Sequence, residues 1–362
     1  YMPKRDATAV AKLRAAGAIV IGKTNLDQFA TGLVGVRSPY GVPRNPHDAA
    51  VIPGGSSSGS AVAVAAGIVP LSLGTDTAGS GRVPAGLNNL VGIKPSLGLI
   101  SAAGVVPACR SLDCVSIFAL TVEDAWSALG VMSGEDPLDA YSRKFELGKP
   151  SSPRKLRIGV PREMECHFFG DKRSEKAFTN SIRLAKKSGA QVVTLDFSHL
   201  LEAARLLYEG PWVAERTAAV GDFIDGSPDK IFPVTKQIID TGKSKNAVDA
   251  FRAFYRLQEI RALARKTFAA ADFLMVPTVP AVYTVAQLQA DPVQLNSNLG
   301  TYTNFVNLLD LAGIAVPSVL ADNGYPYGVT FLAPAGSDAK LAGFARGFHK
   351  HANLPLGASA AK

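Results

Sequence analysis

The sequence predicts an α/β fold with a largely covered β-sheet. Short runs of apolar and β-branched residues alternate with longer helical patterns, the order that lays helices over both faces of a sheet. Apolar and aromatic residues make up 47% of the 362 residues and charged residues only 19%, enough to bury a sizeable core and too little charge for a disordered chain.

The elements follow from local signals. Residues 7–16 (ATAVAKLRAA) read as a helix stopped by Gly17, and Ala18 to Ile21 as a short buried strand. Leu26 to Thr31 reads as a helical turn or two, and residues 35–55, rich in Gly, Pro, Asn and Ser, as a long surface loop. Ser58 to Gly67 is a small-residue helix, Val69 to Leu73 a strand, and Val83 to Leu90 a helix beyond an intervening Gly/Ser loop. Thr121, with Asp124 three residues on, opens a helix to about Met132. Residues 134–154 form a linker between a Gly/Ser-rich core, 1–133, and the remaining sheet and helices, 155–362, all within one domain. Leu156 to Val160 and Gln191 to Asp196 are strands flanking an amphipathic helix, Ser174 to Ser188. Residues 198–268 are mostly helical with a break at Gly210-Pro211; Phe273 to Val276, Ala315 to Leu320 and Tyr327 to Leu332 are strands, and Lys340 to His351 closes the fold as a helix.

Several functions are disfavoured by composition. The net charge of +8 permits an anionic partner, but the densest basic stretches, Arg154 to Arg162 and Lys172 to Lys187, hold one aromatic, Phe178. A nucleic-acid groove interleaves basic and stacking residues, so these stretches read as a solvated basic face. Three cysteines (Cys109, Cys114, Cys166) with no CxxC pair argue against a disulfide framework or zinc site and suit a reducing cytosol. The longest apolar run, Ala61 to Leu71, contains Pro70 and is far short of the roughly 20 residues of a membrane span. Tyr1-Met2 already enters a helical pattern, with no charged-then-apolar leader, so the chain reads as an interior piece of a longer gene product.

Two formal motif matches fail on context. Gly17-Ala-Ile-Val-Ile-Gly22-Lys23-Thr24 has the phosphate-loop spacing, but its four intervening residues are β-favouring and apolar, which makes a core strand and turn rather than a phosphate cradle. Gly55-Ser56-Ser57-Ser58-Gly59 has the spacing of a hydrolase nucleophile elbow, yet Pro53 spoils the strand that should precede it. None of the downstream histidines, His167, His199, His349 and His351, has a distinctive context, so a Ser-His-Asp esterase built on Ser57 is disfavoured.

The informative stretch is 54–98, GGSSSGSAVAVAAGIVPLSLGTDTAGSGRVPAGLNNLVGIKPSLG. Ser56 and Ser80 lie 24 residues apart on two serine-glycine loops joined by a helix and a strand, which can bring them to one sheet edge. Glycines at 74, 79 and 81 let the backbone around Ser80 turn sharply and expose consecutive N–H groups. A hydroxyl beside such groups is what acyl transfer needs, a nucleophile next to an oxyanion hole. An anion-binding loop without catalysis fits the spacing equally well.

This stretch, with Lys23-Thr24-Asn25-Leu26-Asp27-Gln28-Phe29 and Ile93-Lys94-Pro95-Ser96, resembles the amidase signature family along most of the chain. The resemblance implies a mixed β-sheet surrounded by helices and a Ser–cis-Ser–Lys catalytic set. Ser80 corresponds to the nucleophile and Ser56 to the bridging serine, usually held by a cis peptide. The N–H groups of Thr77, Ala78, Gly79 and Ser80 correspond to the oxyanion hole, with Asp76 and Arg82 as the loop's supports. A narrower resemblance, to the branch that hydrolyses allophanate in urea and cyanuric acid breakdown, rests on Ala108-Cys109-Arg110-Ser111-Leu112-Asp113-Cys114-Val115-Ser116 and on Tyr208-Glu-Gly-Pro-Trp-Val-Ala-Glu-Arg216. In that branch Tyr208 and Arg216 match the residues that grip the substrate carboxylate, a task suited to a planar guanidinium. Against this stands a surface ion pair of Arg216 with Glu209 or Glu215. Gly32 would offer backbone contacts to the substrate amide.

The family's lysine lies in an apolar-Lys-Asp-Asn segment that these residues lack, and Lys23 and Lys94 occupy other family elements. The resemblance therefore implies a lysine upstream of Tyr1, or a catalytically inactive relative that binds a partner or small anion. The smaller C-terminal domain that often accompanies this branch is likewise not in the sequence. The remaining expectations are a small amide substrate bearing a carboxylate, no cofactor or metal, no nucleic acid or membrane partner, a homodimer, and a cytoplasmic location.

Overall fold

A computed structural model of the chain describes residues 2–152 and 156–358. Tyr1, the last two residues of the expected linker and the start of the basic stretch at Arg154 lie outside the described residues.

Eight strands form one sheet: β1 (Leu71–Thr75), β2 (Val91–Lys94), β3 (Val115–Ala119), β4 (Leu156–Pro161), β5 (Ala190–Leu195), β6 (Phe273–Pro277), β7 (Leu311–Leu320) and β8 (Pro326–Pro334). Their order is β1-β3-β2-β7-β8-β6-β4-β5. β4 pairs in parallel with β5 and β6, and the other pairings are antiparallel, so the sheet is mixed, as expected. Strands from both sides of residues 134–154 share it, joined where β2 meets β7.

Both faces are covered. Phe273 and Met275 of β6 and Phe331 of β8 face one core, while Leu274, Val276 and Leu332 face the other, the two-residue alternation of a sheet buried on both sides. Over the first face lie helices Val122–Met132, Lys172–Lys187 and Asp338–Ala352; Phe331 meets Phe344 and Phe348 edge-on at 5.0 and 4.9 Å. Over the second lie Ser198–Glu209, Ala247–Ala270 and the short Phe305–Leu308. No helix among the described residues is long and apolar enough to cross a membrane.

The locally coded helices form as expected. Thr121 accepts from the Asp124 N–H at the head of Val122–Met132, and Asp171 accepts from Arg173 and Ser174 at the head of Lys172–Lys187. Four expectations need correcting. Ala18 to Ile21 is neither strand nor core: Ile19, Val20 and Ile21 are 83%, 59% and 73% exposed. Its composition favours β structure, but a strand needs a neighbour to bond, and among the described residues none runs beside it. Residues 35–55 are irregular as expected but reach the surface only in part: 39–41, 44 and 48–50 are exposed, while 35, 37, 38, 45 and 51–55 are buried, where the Asp27 and Asn45 side chains satisfy backbone groups that a loop would otherwise turn to water. The helix expected at Leu26 to Thr31 is a single 3-10 turn, Gln28–Ala30, interrupted by a left-handed Phe29. Strands β2 and β3 are additions to the expected set; they are short, and their burial comes from neighbours distant in sequence.

Candidate active site

The two Ser/Gly loops meet at the end of edge strand β1. The Ser57 hydroxyl accepts from the Thr75 N–H at 3.2 Å and lies 3.3 Å from the Thr75 carbonyl, which ties the first loop to the last residue of the strand. Gly74 permits this approach, since a Cβ there would fall 2.5 Å from Ser57 Oγ. The Gly55–Ser56 peptide is cis, the feature that the resemblance implied for the bridging serine. The Ser56 carbonyl accepts from the N–H groups of Asp27 (3.0 Å) and Ser58 (2.9 Å). Its hydroxyl is buried and has no hydrogen-bond partner among the described residues. A Cβ on Gly55 would lie 2.1 Å from Asp27 Oδ2, so only glycine fits beside that carboxylate.

The second loop, 76–82, winds around Asp76. Its carboxylate accepts from the N–H groups of Gly79 (2.7 Å) and Gly81 (3.1 Å) and from Arg82 Nε and Nη2 at 2.8 and 2.9 Å. Both side chains are fully buried. Burial pushes the Asp76 carboxyl up, but the Arg82 guanidinium, Lys94 and the Gly79 N–H together outweigh it and hold the group below the ordinary carboxylate range. One expected donor is thereby corrected: the Gly79 N–H is committed to Asp76, because the tight turn points it inward at the carboxylate. Among the described residues no protein acceptor takes the N–H of Thr77, Ala78 or Ser80. Ser80 is 2% exposed and sits at the turn into helix Val83–Leu87.

Residues remote in sequence brace this loop. The Thr77 hydroxyl donates to Asp113 Oδ1 at 2.6 Å, and Asp113 also accepts from the Ala108 and Cys109 N–H groups. Asn307 Nδ2 donates to the carbonyls of Asp76 (2.6 Å) and Leu112 (2.8 Å). Thr303 packs against Gly79 so closely that a Cβ there would fall 2.5 Å from Thr303 Oγ1. Asn307 and Thr303 carry no local motif, and nothing in residues 108–116 marks Asp113 for this role.

Tyr208 and Arg216 come together across the Gly210-Pro211 break: the Arg216 guanidinium carbon lies 5.9 Å from the Tyr208 ring centre. Arg216 is 2% exposed. Its Nη1 donates to the carbonyls of Phe29 (3.3 Å) and Ala30 (3.2 Å) and to Thr31 Oγ1 (3.1 Å). Phe29 and Ala30 both adopt left-handed backbone, at φ 53° and 52°, which turns their carbonyls to one guanidinium. The surface ion pair is not formed: Glu215 accepts instead from the Ser111 N–H and hydroxyl at 2.6 and 2.7 Å, and among the described residues Arg216 pairs with no carboxylate. Gly32, next to Thr31, sits at φ +154°, where a Cβ would lie 2.9 Å from Asp27 Oδ2.

Three of the five histidines are hydrogen-bonded elsewhere, His47 with the Asn88 carbonyl, His199 with Thr267 and His351 with the Gly347 carbonyl. Lys94 is fully buried and donates to the Pro95 carbonyl at 2.7 Å; Lys23 is exposed. Among the described residues no group of His, Cys, Asp and Glu could hold a metal ion.

The family model described as "Amidase" matches residues 1–342. The chain belongs to the amidase signature family. Among curated amidase relatives, the urea amidolyase of Saccharomyces cerevisiae is 48% identical over 347 residues, covering 94% of this chain and 19% of that protein. A glutamyl-tRNA(Gln) amidotransferase component of Chromohalobacter salexigens is 36% identical over 381 residues, covering 97% of this chain and 77% of that protein. Among solved structures, the allophanate hydrolase of Kluyveromyces lactis superposes with a TM-score of 0.96 at 47% identity, covering 99% of this amidase chain and 59% of that one. The chain thus spans about a fifth of the urea amidolyase and about three-fifths of the allophanate hydrolase.

Proposed function

We propose that this chain carries the amide-cleaving site of an allophanate hydrolase. The observation that carries the reading is Arg216, a buried guanidinium with no carboxylate partner among the described residues, beside the Tyr208 ring. Asp113 favours the charged guanidinium from nearby without hydrogen-bonding to it, and a ligand carboxylate gripped by the guanidinium fork would supply that missing partner. The relatives named for urea and allophanate chemistry point the same way.

In this reading Ser80 Oγ attacks the terminal amide carbonyl. The N–H groups of Thr77, Ala78 and Ser80 hold the oxyanion, stabilising charge where it develops. The Ser80 proton passes to Ser56, whose own proton moves on to the departing nitrogen, so ammonia leaves as the Ser80 ester forms. Water then attacks the ester, its proton returns through the same relay, and the acid and free Ser80 are released. The relay needs a base that reaches Ser56, and the family resemblance assigns that role to a lysine of the apolar-Lys-Asp-Asn segment.

Ammonia release from allophanate by the full-length protein, beside its Ser80→Ala variant, tests the reading. Release that disappears in the variant supports it, and no release from the unaltered protein overturns it. Arg216→Gln should raise KM for allophanate about 10- to 100-fold, the scale of one charge-assisted hydrogen bond.

A further inference from the structure

A second buried arginine stands behind Arg216. Arg37 is 1% exposed; its Nη1 donates to the Thr31 carbonyl at 3.0 Å and its Nη2 to the Pro292 carbonyl at 2.5 Å. Its Nε–H is buried and has no hydrogen-bond partner among the described residues. Thr31 is therefore held twice, through its carbonyl by Arg37 and through its hydroxyl by Arg216. The next residue, Gly32, has no room for a side chain: a Cβ would meet Arg37 Nη1 at 3.1 Å.

The charge around Arg37 is only partly answered. Asp27 is the carboxylate that most favours its charged form, yet Asp27 gives its oxygens to the backbone N–H groups of Val34, Gly35 and Arg37 rather than to the guanidinium. Two guanidinium groups thus converge on one residue, and neither is hydrogen-bonded to a carboxylate among the described residues. Interiors tolerate such an arrangement poorly unless an anion completes it.

We propose that Arg37 is a positioning residue for carboxylate selectivity: it locks the Thr31–Gly32 peptide so that Arg216 keeps its orientation toward the substrate carboxylate, and it places a second positive charge behind that contact. This rests on the reading of Arg216 given above. A purely structural arginine would affect charged and neutral ligands alike, whereas a selectivity residue separates them.

The test is calorimetric binding of malonamate, which bears a carboxylate, and of malonamide, its neutral counterpart, to the full-length protein carrying Ser80→Ala. That parent is expected to bind malonamate at least tenfold more tightly than malonamide. Adding Arg37→Gln is expected to weaken malonamate at least tenfold while malonamide binding changes less than twofold. Arg37→Lys keeps the charge but loses the fork, so it should lie between the two, and it stands in for Arg37→Gln if that variant does not fold. Equal weakening of both ligands, or unchanged malonamate binding in a folded Arg37 variant, overturns the role of Arg37. If the parent prefers malonamate and only Arg216→Gln removes that preference, Arg37 alone is refuted. A parent that does not distinguish the two ligands overturns both readings.

Discussion

The hydroxyl of Thr77 donates to Asp113 Oδ1 at 2.6 Å and so joins the loop before Ser80 to the turn that begins at Ala108. Burial pushes the Asp113 carboxyl up, opposed first by that hydroxyl and then by the Ala108 and Cys109 N–H groups. The same turn is fastened to the helix bearing Arg216 through Ser111 and Glu215. The loop and the helix that carries Arg216 therefore share one brace.

Thr77→Val keeps the side-chain shape and deletes the donor. With its largest opposing contact gone, Asp113 moves further up, so protonation as pH falls begins at a higher pH. The acid limb of the kcat profile for amide hydrolysis should shift to higher pH, with kcat at neutral pH lowered about tenfold. An unshifted limb would show that Asp113 does not govern the loop.

Asp76 and Arg82 form a fully buried ion pair that also fixes the N–H groups of Gly79 and Gly81. Removing one partner of such a pair costs roughly 3–5 kcal/mol, because the other charge stays buried. Arg82→Met should lower the urea midpoint of unfolding by a corresponding amount and abolish turnover. Asp76→Asn should be as damaging, since an amide cannot accept the four bonds now made.

Gly79→Ala meets two obstacles, the Thr303 side chain at 2.5 Å and a φ of +133°. Relieving the clash with Thr303→Gly should recover only part of the lost activity and thermal stability, because the backbone conformation remains unfavourable to alanine. Full recovery in the double variant would mean that the contact alone imposes glycine.

The thiols of Cys109 and Cys114 are buried and pushed up to about 12. A native protein at pH 8 should leave both unreactive toward Ellman's reagent and expose them on unfolding. Because their folded values lie above the unfolded one, these groups hold their full contribution to stability below about pH 8.5 and lose it progressively toward pH 12. The fall in urea midpoint over that window should be shallower in a Cys109→Ala, Cys114→Ala variant than in the parent.

Local code was legible wherever a residue and its partner lie within one turn. Thr121 caps the helix it was expected to open, and the amphipathic pattern of residues 174–188 places one face on the sheet, although that helix starts two residues earlier than expected, behind an Asp171 cap. The Gly/Ser composition of residues 54–82 likewise announced a sharply turned, N–H-rich loop. Ala18 to Ile21 shows the limit of such reading, since β-favouring residues become a strand only when another backbone supplies hydrogen bonds.

The site itself depends on contacts across the fold. That Gly79 gives its N–H to Asp76, that Thr303 and Asn307 brace the same loop, and that Arg216 reaches Thr31 rather than Glu215 are relations between residues up to 231 positions apart. Hydroxyls and guanidinium groups bond to whatever the packed interior brings within about 3 Å, and no local pattern specifies that neighbour. Composition and spacing thus limited the chemistry to a serine beside turned-out N–H groups, while tertiary packing decided which buried guanidinium groups lack a carboxylate partner among the described residues.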